Sequence, residues 1–138
     1  MDPLLLAAGT TLVTAMATDG WREVRAGAVA LWRRVHPERA PAIEAELEEV
    51  RGEVLEARAA GNADIERELA RDWQRRLGRL VAADPGLEPE LRSVLDEQWT
   101  PALSAAEQVR VQHIVQTATV SGHGRVFQAG GDQYNSGT

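Results

Sequence analysis

The sequence predicts an all-α fold: an antiparallel helical bundle of four to five helices, followed by a β-prone tail carrying a terminal motif. Three observations lead there. Apolar residues recur at spacings of three and four along several long segments, the period of a helix with one buried face. An uncharged, mostly apolar run from Pro3 to Thr18 precedes those segments. Beyond Thr100 the composition moves towards β-branched residues, glutamine and glycine. The expected organisation is a bundle over residues 1–99, a β-prone linker over 100–121 and a motif over 122–138.

The first helix is expected from about Leu4 to Ala17. Leu4, Leu5, Leu6, Leu12 and Val13, with alanines between them, cover every side of it. A helix that is apolar all round belongs inside a bundle or in a membrane. Thr10, Thr11 and Thr14 forbid neither, because their hydroxyls can bond back to the helix. The run is short for a transmembrane span, which needs ~20 residues. Ala15-Met-Ala17 has the small-residue look of a cleavage site, but Asp2 and the lack of a basic residue before the run argue for a retained segment. The expected resting location is therefore the cytoplasm.

Asp19 is the expected N-cap of a second helix to His36, whose stripe is Trp21, Val24, Ala28, Leu31, Trp32 and Val35. Pro37 ends it. Pro41 suits the first turn of a third helix reaching Ala60. Ile43, Leu47, Val50, Val54 and Ala57 form its inner stripe, and its glutamates form an outer, solvated face. Gly61-Asn62 reads as a helix stop followed by an N-cap, giving a tight hairpin. The fourth helix, Ala63 to Ala83, is expected to bury Ile65, Leu69, Trp73, Leu77, Leu80 and Val81. A shorter fifth helix from Pro89 to Trp99 turns Leu91, Val94, Leu95 and Trp99 inward. Val109 to Val120 is β-branched, glutamine-rich and partly alternating. It is expected to be disordered or weakly docked until it assembles.

Charge and composition exclude several functions. The 138 residues carry a net charge of −6, all of it from the helical part, because Glu107, Arg110, Arg125 and Asp132 cancel in residues 100–138. Such a domain is a poor general binder of nucleic acid or anionic lipid. There is no cysteine, and all fifteen basic residues are arginine, so thiolate chemistry, a Walker lysine and a Schiff base are absent. His36, His113 and His123 lack metal-ligand spacing, and Ser93, Ser104, Ser121 and Ser136 lack a neighbouring base and acid. No cofactor, metal or catalytic residue is expected.

The terminal stretch from Gly122 to Asn135 cannot build a core and is poor in helix formers. Low charge, no proline and the β-preferring Val126-Phe127-Gln128 suit a segment that stacks on copies of itself, with glutamine amides in ladders. Phe127-Gln128-Ala129-Gly130 resembles the apolar-Gln-apolar-Gly core of RHIM-type amyloid signalling motifs. The longer string Gly-x-Gly-x-Val-x-Gln-Ala-Gly-x-Asp-Gln, through Asp132 and Gln133, is similar to the bacterial amyloid signalling motifs at the C-termini of Bell-domain proteins. The resemblance covers about a tenth of the chain and departs from the pattern at Gly131, where arginine is common.

That resemblance implies a bacterial cell-death effector in antiphage immunity, related in role to HeLo and necroptosis execution domains. The implied partners are further copies of the chain in a homotypic fibril and a nucleotide-binding immune receptor with a matching motif. When activated, the protein would meet membrane lipid at the plasma membrane. The implied membrane-active element is the first helix, through Leu4, Leu5, Leu6, Leu12 and Val13. The rival reading is a non-lytic adaptor that recruits partners through the same motif.

Overall fold

The computed structural model describes residues 3–127. They form helices α1 (Pro3–Ala15), α2 (Trp21–Val35), α3 (Ala40–Ala60) and α4 (Ala63–Ala83). There follow α5 (Leu87–Val94), a π-helical turn (Leu95–Trp99), α6 (Thr100–Ala102) and α7 (Ala105–Phe127). A 3-10 turn, Pro37–Arg39, leads into α3, and there is no strand among the described residues. The fold is all-α, as the sequence predicts.

The α3–α4 hairpin closes as its sequence dictates. Gly61 takes φ 69°, a left-handed conformation that glycine adopts without Cβ strain, and ends α3. The next residue, Asn62, caps α4 by accepting a hydrogen bond from the Ile65 backbone N–H at 3.4 Å. α2 begins differently from expectation. Gly20, which has no side chain to cap with, occupies the N-cap in place of Asp19. α5 starts at Leu87 rather than Pro89 and runs into the π-helical turn. Leu91, Leu95 and Trp99 are all buried there.

α1 is the innermost element. It packs most extensively on α4, then on α7, with the π-helical turn and α2 completing its surroundings. All four tryptophans are buried around it, Trp21 and Trp99 included. Trp32 and Trp73 meet edge to face, their centroids 5.8 Å apart.

Two expectations are overturned. Val109 to Val120, expected to be β-prone and disordered or weakly docked, lie within the helix α7, and Val111 is buried. Ser104 starts this helix, its hydroxyl accepting from the Glu107 backbone N–H at 3.2 Å. The inner residues Glu107, Gln108, Val111, Ile114 and Val115 follow helical spacing, while Val109 is exposed. Packing against α1 thus prevails over the β-preference of the individual residues. On α4, Ile65 is exposed and Glu66 is buried, because the inward row is Glu66, Ala70, Trp73, Leu77 and Leu80. Ile65 lies at the edge of that row.

The acidic face of α3 is mostly exposed, with two fixed points. Glu46 pairs with Arg76 of α4. Glu48 accepts from Trp21 Nε1 at 3.0 Å and from Arg25 at 2.8 Å, both on Oε2. The Trp21 bond foremost, and then Arg25, hold the Glu48 carboxyl below the ordinary glutamate range, although burial works the other way. A lowered carboxylate stabilises the fold above its unfolded pKa, and that contribution is lost as pH falls through the lower, folded value. Trp21→Phe should therefore raise the Glu48 pKa, read by carboxyl-carbon NMR titration. An unmoved titration would show that the indole does not hold this carboxylate.

Candidate functional site

Helix α1 and the surfaces that seat it form the candidate site. Along α1, Leu4, Leu6, Leu12 and Val13 are buried, Leu12 completely. Leu5 is half-buried and lies against Gly78 of α4, its Cδ1 3.4 Å from where a Cβ on that glycine would stand. All five residues of the expected membrane-active set therefore contribute to the interior or its margin.

Polar contacts fix the helix in register. Gln74 of α4 is 3% exposed. Its Nε2 donates to the Leu6 carbonyl at 3.4 Å and to Thr10 Oγ1 at 3.2 Å. Gly9 makes this approach possible: a Cβ there would stand 2.9 Å from the Gln74 backbone nitrogen and 3.0 Å from its Cα. At the far end, Arg51 Nε of α3 donates to the Met16 carbonyl at 3.1 Å, and Thr18 Oγ1 donates to the Ala15 carbonyl at 2.8 Å. Carbonyls at and just past the end of α1 are thus satisfied by side chains.

α7 covers α1 and is tied down at its start. Gln108 Nε2 donates to the carbonyls of Thr100 at 3.0 Å and Leu103 at 3.1 Å. Nearby, four charged residues from three helices meet. Arg58 of α3 grips Glu66 of α4 with two bonds of 3.0 Å, Nε to Oε1 and Nη2 to Oε2. Glu107 of α7 stands 3.5 Å from Arg58, and Arg110 of α7 stands 3.7 Å from Glu66. The hydrogen bonding of Arg58 to the Glu66 carboxylate is the main cause of a raised Arg58 pKa, with the Glu66 and Glu107 charges adding to it against burial.

The expected amyloid-motif residues lie at or beyond the end of this arrangement. Val126 and Phe127 are the last two residues of α7. Gln128, Ala129, Gly130, Asp132 and Gln133 fall outside the described residues. Among the described residues, no helix is long and apolar enough to cross a membrane, and no group of three acidic or histidine side chains stands together. With thirteen residues, α1 reaches roughly 20 Å at 1.5 Å per residue.

Gln74, Glu66 and Gly9 are the site residues that stripe counting misses. Each had a signal. Gln74 follows Ala70 by four and precedes Leu77 by three, a polar residue at a core position, and Glu66 extends the same row by one turn. No family model, curated protein or solved structure matches the chain.

Proposed function

We propose that this chain is a Bell-like, membrane-targeting cell-death effector, switched on by amyloid templating through its C-terminal motif. One observation carries the coupling between the two ends: α7, whose last residues, Gly122 to Phe127, are the first of the motif, packs directly on α1. A receptor strand adds to residues 122–135 by β-augmentation, and further copies stack on it. Converting the motif to strand draws on the end of α7, and loss of α7 uncovers α1. Exposed apolar surface costs ~25 cal/mol per Å², which lipid offsets and water does not. At roughly 20 Å, α1 is shorter than the ~30 Å hydrocarbon core. It therefore enters partway, and many copies held along one fibre act together. Such a protein is cytoplasmic at rest and reaches the plasma membrane on activation, without nucleic acid, cofactor or catalysis.

The shortness of α1 favours a second reading, a non-lytic adaptor in which the bundle docks another protein and the tail only recruits it. Seeding separates the two. Full-length protein is mixed with fibrils of a peptide covering residues 122–138 and with dye-loaded phospholipid vesicles. The effector assembles and leaks the vesicles. Leu5→Glu assembles as well, but leaks at least about tenfold less, because a carboxylate on an inserting helix is strongly disfavoured. Leu5 is chosen because it is half-buried, whereas a carboxylate at the fully buried Leu12 would break the resting bundle. Vesicles that stay sealed around abundant fibrils select the adaptor, and a failure to assemble removes the motif from both readings.

A further inference from the structure

We infer that Arg58, Glu66, Glu107 and Arg110 form an asymmetric clasp whose α7 half opens first, so that α7 leaves α1 while the α3–α4 hairpin stays shut. As a regulatory device this rests on the effector reading above.

The two halves of the cluster differ in geometry. Arg58 and Glu66 face each other fork to fork, with two bonds of 3.0 Å, and the Glu66 side chain is only 10% exposed. Paired bonds of this kind are the strong form of an arginine–carboxylate contact. The contacts from α7 are longer, 3.5 Å from Glu107 to Arg58 and 3.7 Å from Arg110 to Glu66. Glu107 Oε2 is buried without a hydrogen-bond partner, so hydration on opening would relieve an unsatisfied atom.

Charge balance points the same way. Removing one member of a buried pair leaves an uncompensated charge and is costly. When α7 leaves, Arg58 and Glu66 remain as a neutral, hydrogen-bonded pair, and Glu107 and Arg110 enter water as one acid and one base. No buried charge is stranded. Opening between α3 and α4 would instead part Glu66 from its fork. The clasp thus sets the order of events: α7 detaches as a unit, α1 loses its cover, and the rest of the bundle keeps its shape.

Hydrogen–deuterium exchange on the full-length monomer tests this without membrane or fibre. Amides of residues 105–117 should exchange through an opening separate from that of the α3–α4 hairpin. Glu107→Gln and, separately, Arg110→Gln should speed α7 exchange about two- to fivefold and also speed α1 exchange, with the hairpin unchanged. The exposed position of Arg110 keeps its variant folded. Exchange of α7 and the hairpin at one common rate, or variants that leave α7 unmoved, would overturn the clasp. Seeded leakage is read in parallel. If wild-type leaks and Glu107→Gln needs as much seed, the clasp is not a regulator. If neither leaks, the effector reading fails, while the exchange data still decide the order of opening.

Discussion

Trp73→Ala should cost the bundle about 3–5 kcal/mol, the usual range for deleting a buried tryptophan side chain. For a domain of this size that lowers Tm by roughly 10–25 °C. Trp73 is 1% exposed and joins three helices. Its ring meets Trp32 of α2 edge to face at 81° and carries the Arg76 guanidinium 4.6 Å from its centroid. Arg76 in turn pairs with Glu46 of α3 and Asp72 of α4. Truncation leaves a cavity next to Gln74, which holds α1. The indole Nε1 is buried without a hydrogen-bond partner, so that donor contributes nothing by bonding. Trp73→Phe should therefore cost much less, about 1 kcal/mol. Urea denaturation of both variants measures the difference. A Trp73→Ala loss below that of Trp73→Phe would mean that the ring is not the joint between these helices.

The long helices were legible because their signals agree at several levels. α3 and α4 have matched apolar rows, a glycine stop and an asparagine cap, and their ends fall as the sequence predicts, at Ala60, Ala63 and Ala83. The apolar character of α1 left a bundle interior or a membrane open, and the structure places it in the bundle interior. α7 misled because its residue types and its spacing disagree. Val109 and Val111 suggest alternation, but Val111, Ile114 and Val115 recur with the helical period, and Ser104-x-x-Glu107 is a helix-start signature. Residue type is the weaker signal when a neighbouring helix supplies a surface to cover. α1 supplies that surface here.

The site itself was half legible. Apolar residues of α1 could be counted from the sequence, but the groups that position it could not. Gln74 reaches the Leu6 carbonyl and Thr10 across 68 and 64 positions of sequence, and no local pattern links them. Arg58 and Glu66 are close in sequence, yet their partners on α7 come from more than forty positions later. Polar residues on apolar rows were the readable trace, and they mark where one helix holds another rather than what the domain does.

Gly9→Leu should destabilise the bundle by about 2–4 kcal/mol, against the direction of helix propensity. Intrinsic preference alone favours replacing a mid-helix glycine, by ~1 kcal/mol for alanine. The structure reverses the sign at this position. A Cβ at Gly9 meets the backbone nitrogen and Cα of Gln74, and backbone cannot rotate aside as a side-chain tip can. α1 must lift away from α4, and the Gln74 bonds to Leu6 and Thr10 are lost with it. Gly52 of α3 is the control, because a Cβ there has nothing within 4 Å. Gly52→Ala should stabilise by roughly 0.5–1 kcal/mol. Opposite signs at the two glycines, measured by urea denaturation, would establish the tight seat, whereas stabilisation at both would remove it. Gly9→Leu also makes α1 more apolar, so vesicle leakage without seed is read in it beside Gln74→Leu, which removes the bonds to Leu6 and Thr10 and leaves the α1 sequence unchanged. Leakage that rises before any fibre forms would place the barrier to activation at the α1–α4 contact.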